Sequence, residues 1–454
     1  RKQPACLALH IHTPRMTSTW SPASWRKAVA KQQPQYPDKK KLAETCATIA
    51  CMPPLVDARE VKRLRSLLAK VYAGEMLILQ GGDCAERFSD CTQKIIEAKL
   101  KILLQMSLVL IWGSRKPVVR IGRIAGQYGK PRSKPTEIVK GEEMASFKGD
   151  NVNSLQPNKQ SRIPDPKRLL EGYFRSAATL NYIRALTRGG FADLHNAKHW
   201  ELEFIKDSKL REDYEKIASN LISSLDFLRV VGGAKEHDTE SVEFFTSHEG
   251  LVLDYEEALT RADDADTTEG KKKASRRFYN ASAHLLWIGN RTRQLDGAHV
   301  EYFRGLSNPI GVKVGPKMDS KELVELIKTL DPNNEAGKIT LISRMGANNV
   351  TNCLPPLIQA VKKAQLQVNW ICDPCHGQTR ATKNKIKTRD FAEILLELQK
   401  TALVHKQCGS RLNGVHFEMT GEDVTECVGG PQGLSESDLQ VNYTSACDPR
   451  LNYA

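Results

Sequence analysis

The chain reads as an α/β protein built on a parallel sheet, and three observations point there. Short apolar runs bounded by polar loops recur at Met76–Gln80, Pro117–Ile121, Val242–Thr246, Ile310–Val314, Ile339–Ser343, Val368–Cys372 and Gly414–Glu418. Helical stripes of apolar residues lie between several of them, and charged or polar residues gather where the runs end. Continuous apolar strands alternating with helices mean a sheet covered on both faces, either doubly wound or closed as a barrel.

Residues 1–60 are rich in Pro, Lys, Gln and Trp and read as an irregular arm laid on the main domain, which occupies 61–454. The opening Arg1–His10 is basic, with an apolar stretch too short for a secretory signal, and reads as a fragment end. Leu64, Leu67, Leu68 and Val71 then stand at i, i+3, i+4, i+7, a helix stripe that Gly74 would stop. Leu323, Leu326, Ile327 and Leu330 repeat the pattern behind a capping pair, Asp319 and Glu322, and Ile394, Leu395 and Leu398 form a third stripe. The stretch 169–228 reads as inserted helices, and Gly129–Lys167 and Ala262–Arg277 as polar loops.

Composition narrows the function classes. The 454 residues carry 67 Lys and Arg against 53 Asp and Glu, a net charge of +14, which suits phosphorylated substrates or a polyanion. The basic residues are spread along the chain, and the run Lys271–Lys273 with Arg276 and Arg277 lacks interleaved aromatics, so a nucleic-acid partner is not expected. The apolar run at Leu103–Trp112 is far short of the ~20 residues of a membrane helix, so no membrane partner is expected either. Eleven scattered cysteines predict reduced thiols in an intracellular compartment. Cys372-Asp373-Pro374-Cys375-His376 matches a haem-attachment pattern, but it sits where a buried strand leads into polar residues, and haem is not expected.

The run ends carry two chemistries. Arg120 and Arg123 close one run; Lys130, Arg132, Arg291, Lys313 and Arg344 lie at other ends or in the loops after them. Arg123, Lys130, Arg132, Arg291, Lys313 and Arg344 would make a pocket for phosphate or carboxylate, because guanidinium forks bind both in two-pronged fashion. Cys84, His376, Glu418 and Asp448 supply sulfur, nitrogen and oxygen donors, a mixed set that suits Mn²⁺, Co²⁺, Fe²⁺ or Zn²⁺. His416 and Glu418 share one strand face, opposite Val415 and Phe417. Polar side chains converging at many strand ends is how a (β/α)₈ barrel builds a site. Cys46, Cys51, Cys91, Cys353, Cys408 and Cys427 are expected as buried hydrophobes, and His195, His199, His284 and His299 as structural or surface residues.

Longer motifs carry a resemblance. Leu79–Glu86, Arg123–Tyr128, Lys130–Ser133, Gly149–Asn153, Thr246–Glu249, Trp287–Gly289 with Arg291–Gln294, Asn308–Lys313, Arg344–Gly346, Asp373-Pro374 with His376-Gly377, the stretch Glu418–Gly430, and Cys447–Asn452 together resemble the class II (plant-type) 3-deoxy-D-arabino-heptulosonate 7-phosphate synthases. The likeness runs from about Trp20 to the end of the chain.

The resemblance implies a (β/α)₈ TIM barrel with an N-terminal extension and inserted helices. It implies condensation of phosphoenolpyruvate with D-erythrose 4-phosphate and water, opening the shikimate pathway to aromatic amino acids. A catalytically impaired relative serving as a regulatory or partner-binding subunit is the alternative. The family's metal ligands map to Cys84, His376, Glu418 and Asp448, with Mn²⁺ expected and Co²⁺ as a substitute. Phosphoenolpyruvate binding maps to Arg123, Asn290, Arg291, Lys313 and Arg344, and the sugar-phosphate motif to Lys130, Arg132 and Ser133. Cys84, Lys130, Glu249 and His376 are the expected catalytic residues, and Glu249 or a water on the metal would handle the proton of the attacking water. A homo-oligomer, aromatic amino acid effectors and a cytoplasmic location, with the plastid as alternative, complete the expectation. Three departures stand out: Asn290 replaces the family's Glu, Cys375 and Gln378 replace its Met and Asn, and no segment for a final barrel helix follows Arg450 before Ala454.

Overall fold

The computed structural model describes residues 20–189, 208–232, 242–263 and 277–453. Parallel strands close a barrel in sequence order: β1 Leu77–Gly82, β2 Val118–Arg123, β3 Phe245–Glu249, β4 Leu285–Ile288, β5 Ile310–Val314, β6 Ile339–Ser343, β7 Val368–Cys372 and β8 Gly414–Glu418, which pairs back to β1. Of the two architectures open to the sequence, the closed barrel is the one formed.

Two strand expectations need correction. β4 is absent from the apolar runs because it is only four residues long and follows the small, polar Ala281–His284. β3 begins at Phe245 and extends through the polar Ser247-His248-Glu249, three residues beyond the expected run. Its register sets Phe245 beside Ile121 and Glu249 beside Trp287, so its polar end belongs to the barrel mouth and not to a loop.

The arm is also more regular than expected. Within it, helix α1 spans Lys39–Cys51, capped by the Asp38 side chain on the Lys41 N–H; its buried stripe is only Leu42, Thr45 and Ile49, too thin to stand out. Helix α2, Ala58–Ala73, starts in a capping box of Asp57 and Glu60 and stops at Gly74, whose φ of 86° is left-handed. Its stripe Leu64, Leu67, Leu68 and Val71 packs on Ile78, Val119, Ile121, Leu285, Ile342 and Ile371, plugging the N-terminal end of the barrel. Burying each such side chain contributes about 1.5–3 kcal/mol. The Asn369 and Asn413 side chains donate to the carbonyls of Leu68 and Val71, tying the end of the helix to β7 and to the residue before β8.

Outer helices cover the strands in turn. Helix α3, Gln93–Ser114, follows β1; α4 (Lys167–Arg188) and α5 (Ser208–Gly232) lie between β2 and β3; α6 (Leu253–Ala258) and α7 (Ala298–Phe303) follow β3 and β4. Helices α8 (Ser320–Leu330), α9 (Val350–Lys363) and α10 (Phe391–Gln407) follow β5, β6 and β7. Among the described residues no α-helix follows β8, where Val415 and Phe417 face an apolar cleft of about 440 Å³ with Ile102 and Met106 of α3 and Leu398 of α10. The loop expected over Gly129–Lys167 folds back as a hairpin, Thr136–Val139 with Glu142–Ala145, turned at Lys140 and Gly141. Residues 1–19, His195, His199, most of the Ala262–Arg277 loop and the Lys271–Lys273 run lie outside the described residues.

Candidate active site

The barrel's inward positions change character along its axis. Below, Ile78, Ile121, Leu285 and Ile371 meet the α2 plug. Two residues further along, Gln80 donates to Ser247 Oγ at 2.9 Å, and His416 Nδ1 lies 2.8 Å from Gln80 Oε1. At the carboxyl ends stand Arg123, Glu249, Lys313, Asp373 and Glu418. The two-residue repeat of a strand puts all these side chains on the inner face. Arg120, three residues before Arg123, takes the outer face and donates from Nε to Ser107 Oγ on α3 at 2.7 Å.

A cleft of about 260 Å³ opens at the mouth, lined by Arg123, Lys130, Arg132, Arg291, Lys313 and Arg344, with Ser133, Glu249, Trp287, Asn290, His376 and Asp448. Arg123 Nη1 and Lys313 Nζ sit 2.7 and 2.8 Å from His416 Nε2. That nitrogen must therefore accept, which assigns the ring proton to Nδ1 and leaves His416 neutral; burial, with Lys313 and Arg123 beside it, holds its pKa far below the usual range. Both cations lie over the Trp287 ring, at 5.2 and 5.7 Å from its centroid. Burial first, then Arg123, lower Lys313 to about 8, although Asp373 at 2.5 Å opposes the shift. Arg291 donates to Ser133 Oγ at 2.6 Å, and Arg344 Nη2 donates to the His376 carbonyl. Asn290 Oδ1 accepts from Arg293 Nε at 3.2 Å.

The four expected donors fall into two groups that overlap at Asp448. Donor atoms of His376, Glu418 and Asp448 lie within 4.8 Å of one another, as do those of Cys84, Cys447 and Asp448, so Asp448 joins two groups. Cys447 is a donor the sequence reading passed over, although it adjoins Asp448 in the chain. Lys130 Nζ stands 2.7 Å from Cys84 Sγ and 3.1 Å from Asp448. Hydrogen bonding to Cys84 first lowers Cys447 to about 7, while burial raises Cys84. Burial pushes the Glu418 carboxyl up, but His376, Arg389, Lys130 and Arg123 together hold it well below the carboxylate range.

The surroundings fit a borderline divalent metal. His376 Nδ1 is 2.7 Å from Asp373 Oδ2, which orients the ring and turns Nε2 toward Glu418 at 2.9 Å. A carboxylate behind a histidine is the usual support for a metal-binding imidazole. Glu418 Oε2 accepts from Arg389 Nη2 at 2.6 Å. Arg389, wholly buried, also donates to the Pro449 carbonyl next to Asp448. Nothing in the spacing of the sequence marked Arg389 for this part, because its partner Glu418 comes from a distant strand; Asp373 stands only three residues from His376, and nothing in the sequence assigned it a role. Further back, Glu86 accepts from the N–H groups of Ala125, Gly126 and Gln127 at 3.0, 3.0 and 2.8 Å and sets the loop from Arg123 to Lys130. Arg450 bridges Asp83 and Glu426 at 2.7 and 2.8 Å and fixes the loop of Asp448.

Glu249 Oε1 is buried at the cleft without a hydrogen-bond partner. Burial raises its pKa, with Lys130, Lys313 and Arg291 pulling the other way, and a shifted carboxyl in a cleft is a candidate proton acceptor. His284 and His299 are structural: each is buried, with its pKa lowered to about 4. Cys372 and Cys375 are buried too, Cys375 accepting from the Glu418 N–H at 3.5 Å.

Among the described residues no helix is long and apolar enough to cross a membrane. The class-II DAHP synthetase family matches residues 20–454. A phospho-2-dehydro-3-deoxyheptonate aldolase of Neurospora crassa is 49% identical over 443 residues, covering 95% of this chain and 91% of that protein. Proteins of the same description from Streptomyces coelicolor and Mycolicibacterium smegmatis are each 45% identical, covering 96% and 93% of this chain and 95% and 89% of their own lengths.

Proposed function

Because the chain belongs to the class-II DAHP synthetase family, we propose that the cleft at its barrel mouth joins phosphoenolpyruvate to D-erythrose 4-phosphate through the residues placed there. The activity is that of a transferase forming a carbon–carbon bond, the first step of the shikimate pathway. One observation carries the assignment of residues: the six expected cations line one cleft, and His376 and Asp448 in its wall join it to a sulfur, nitrogen and carboxylate donor set.

Two anions must approach each other, so their charges have to be neutralised before proximity can accelerate anything. Arg123, Lys313, Arg344, Arg291 and the Asn290 backbone hold phosphoenolpyruvate, and Lys130, Arg132 and Ser133 hold the sugar phosphate. The enol carbon attacks the aldehyde carbon, the carbonyl electron pair moves to oxygen, and that oxygen takes up a proton. Water adds to the cationic carbon left behind, and the new hydroxyl becomes the keto group as the C–O bond to phosphate breaks and phosphate departs. Glu249 takes the proton of that water; its unpaired, buried oxygen faces the cleft. Cys84, His376, Glu418 and Asp448 hold a divalent ion, Mn²⁺ or else Co²⁺, which when bound polarises the aldehyde oxygen. Residues 1–60 act as an arm on the catalytic unit 61–454. A homo-oligomer, feedback by aromatic amino acids and a cytoplasmic location rest on the family alone.

Phosphate release, measured with both substrates, tests the assignment. Chelation should abolish turnover, and Mn²⁺ or Co²⁺ should restore it. Cys84→Ala should stay folded yet lose both metal and turnover; full activity in metal-free Cys84→Ala protein would sink the ligand assignment.

A further inference from the structure

Glu397 is buried mid-way along α10, only 1% exposed, yet every hydrogen bond its carboxylate accepts comes from the barrel mouth. Oε1 accepts from the backbone N–H groups of Met345 and Gly346, at 2.8 and 2.9 Å, in the loop that begins with Arg344. Oε2 accepts from Gln378 Nε2 at 2.9 Å, two residues after His376. The same two loops touch directly. Arg344 Nη2 donates to the His376 carbonyl. A Cβ on Gly377 would stand 2.5 Å from the Gly346 nitrogen and 3.0 Å from Glu397 Oε2, so only a glycine permits the approach. One turn along α10, Lys400 Nζ donates to the Ala347 carbonyl at 2.9 Å.

We infer that Glu397 is a positioning residue that holds the loop of Arg344 and the loop of His376 at one fixed separation, with Gln378 as its contact on the histidine side. The inference rests on the reading of the cleft given above, in which Arg344 meets phosphoenolpyruvate and His376 meets the metal. Both loops converge on one rigid carboxylate, so the substrate site and the metal site share a support that neither ligand touches. Gln378, where the sequence departs from its family, is the residue that reaches this support. A neutral amide is required there: it donates to Glu397, whereas a carboxylate at 378 would set two like charges together in a buried pocket.

A compensating double substitution tests this with two binding readouts, Mn²⁺ titrated by paramagnetic resonance and phosphoenolpyruvate by calorimetry. Gln378→Glu should raise both dissociation constants at least tenfold. Adding Glu397→Gln reverses the hydrogen bond without loss, since the amide introduced on α10 donates to the carboxylate at position 378 and its carbonyl still accepts from Met345 and Gly346. The double variant should return both constants to within threefold of the unsubstituted chain. Gln378→Ala, at a half-buried position that tolerates truncation, should raise both at least threefold should Gln378→Glu fail to fold. Constants unchanged in the single variants, only one constant changing, or a double variant no better than Gln378→Glu would each overturn the inference. A lower thermal midpoint with unchanged constants would do the same, since Glu397 would then only brace the helix. Absence of both ligands from the unsubstituted chain would remove the reading of the cleft itself, and it is read before any variant is made.

Discussion

Replacing Arg389 by Met removes a side chain that no substrate touches, and it should loosen both the fold and the metal site. The magnitude follows from which atoms lose partners. Glu418 Oε2 accepts from Arg389 at 2.6 Å, while Oε1 keeps Arg123 at 3.0 Å and His376 at 2.9 Å. The carboxylate is therefore not stranded, and the larger loss expected for an isolated buried charge does not apply. One orphaned acceptor costs about 1–3 kcal/mol, and the freed Pro449 carbonyl about 1 more, so folding stability should fall by ~2–4 kcal/mol. Loss of a support behind a ligand weakens metal binding by roughly ten- to a hundredfold. Denaturant unfolding of the metal-free chain reads the first figure, and Mn²⁺ titration the second. Arg389→Lys keeps the charge but not the fork, and should recover part of the stability and little of the metal affinity. A natively folded Arg389→Met protein with Mn²⁺ affinity within twofold of the parent would refute the reasoning.

Arg344→Ala and Lys313→Ala should each weaken phosphoenolpyruvate use by roughly ten- to a hundredfold, the worth of one charge-assisted contact, about 1.5–3 kcal/mol; steady-state constants for each substrate check this, and an effect confined to erythrose 4-phosphate would mean the pockets are reversed. Asn290 Oδ1 is engaged with Arg293, so Asn290→Glu should alter kcat/KM by less than about threefold, under ~0.7 kcal/mol, whereas Asn290→Pro, which deletes the N–H, should cost far more; a hundredfold gain in Asn290→Glu would show that the side chain matters. Lys313, lowered to about 8, should lose its proton as pH rises past that value, so phosphoenolpyruvate binding followed by calorimetry should weaken above about pH 8. The sign for stability is opposite: between about 8 and the usual lysine range the unfolded chain binds the extra proton, so this group makes the fold more stable as pH rises. His284, His299 and His405, each lowered to about 4, act on the acid side. Folding stability should fall as pH drops from the usual histidine value of 6.5 toward 4, and a denaturant midpoint unchanged across that window would contradict their burial as neutral rings.

Sequence alone determined what local periodicity and residue chemistry can encode. Apolar runs marked all the barrel strands but β4, the stripe at Leu64–Val71 marked the helix that plugs the barrel, and the polar residues at run ends marked the mouth. Those signals are short-range: a strand repeats every two residues and a helix every 3.6, so a window of a dozen residues contains them. Tertiary structure decided the rest. Alternation puts Arg120 and Arg123 on opposite faces of one strand, but only the closed barrel decides which face is inside, sending one to Ser107 and the other to His416 and Glu418. Arg389 behind Glu418, Glu86 under the Arg123 loop and Arg450 between Asp83 and Glu426 have no signature of their own. Closing the barrel brings Asp83 and Arg450, 367 positions apart, to 2.7 Å. No local pattern can specify such pairs, because the free energy that selects them is the desolvation of charges that must be matched once burial has removed the water.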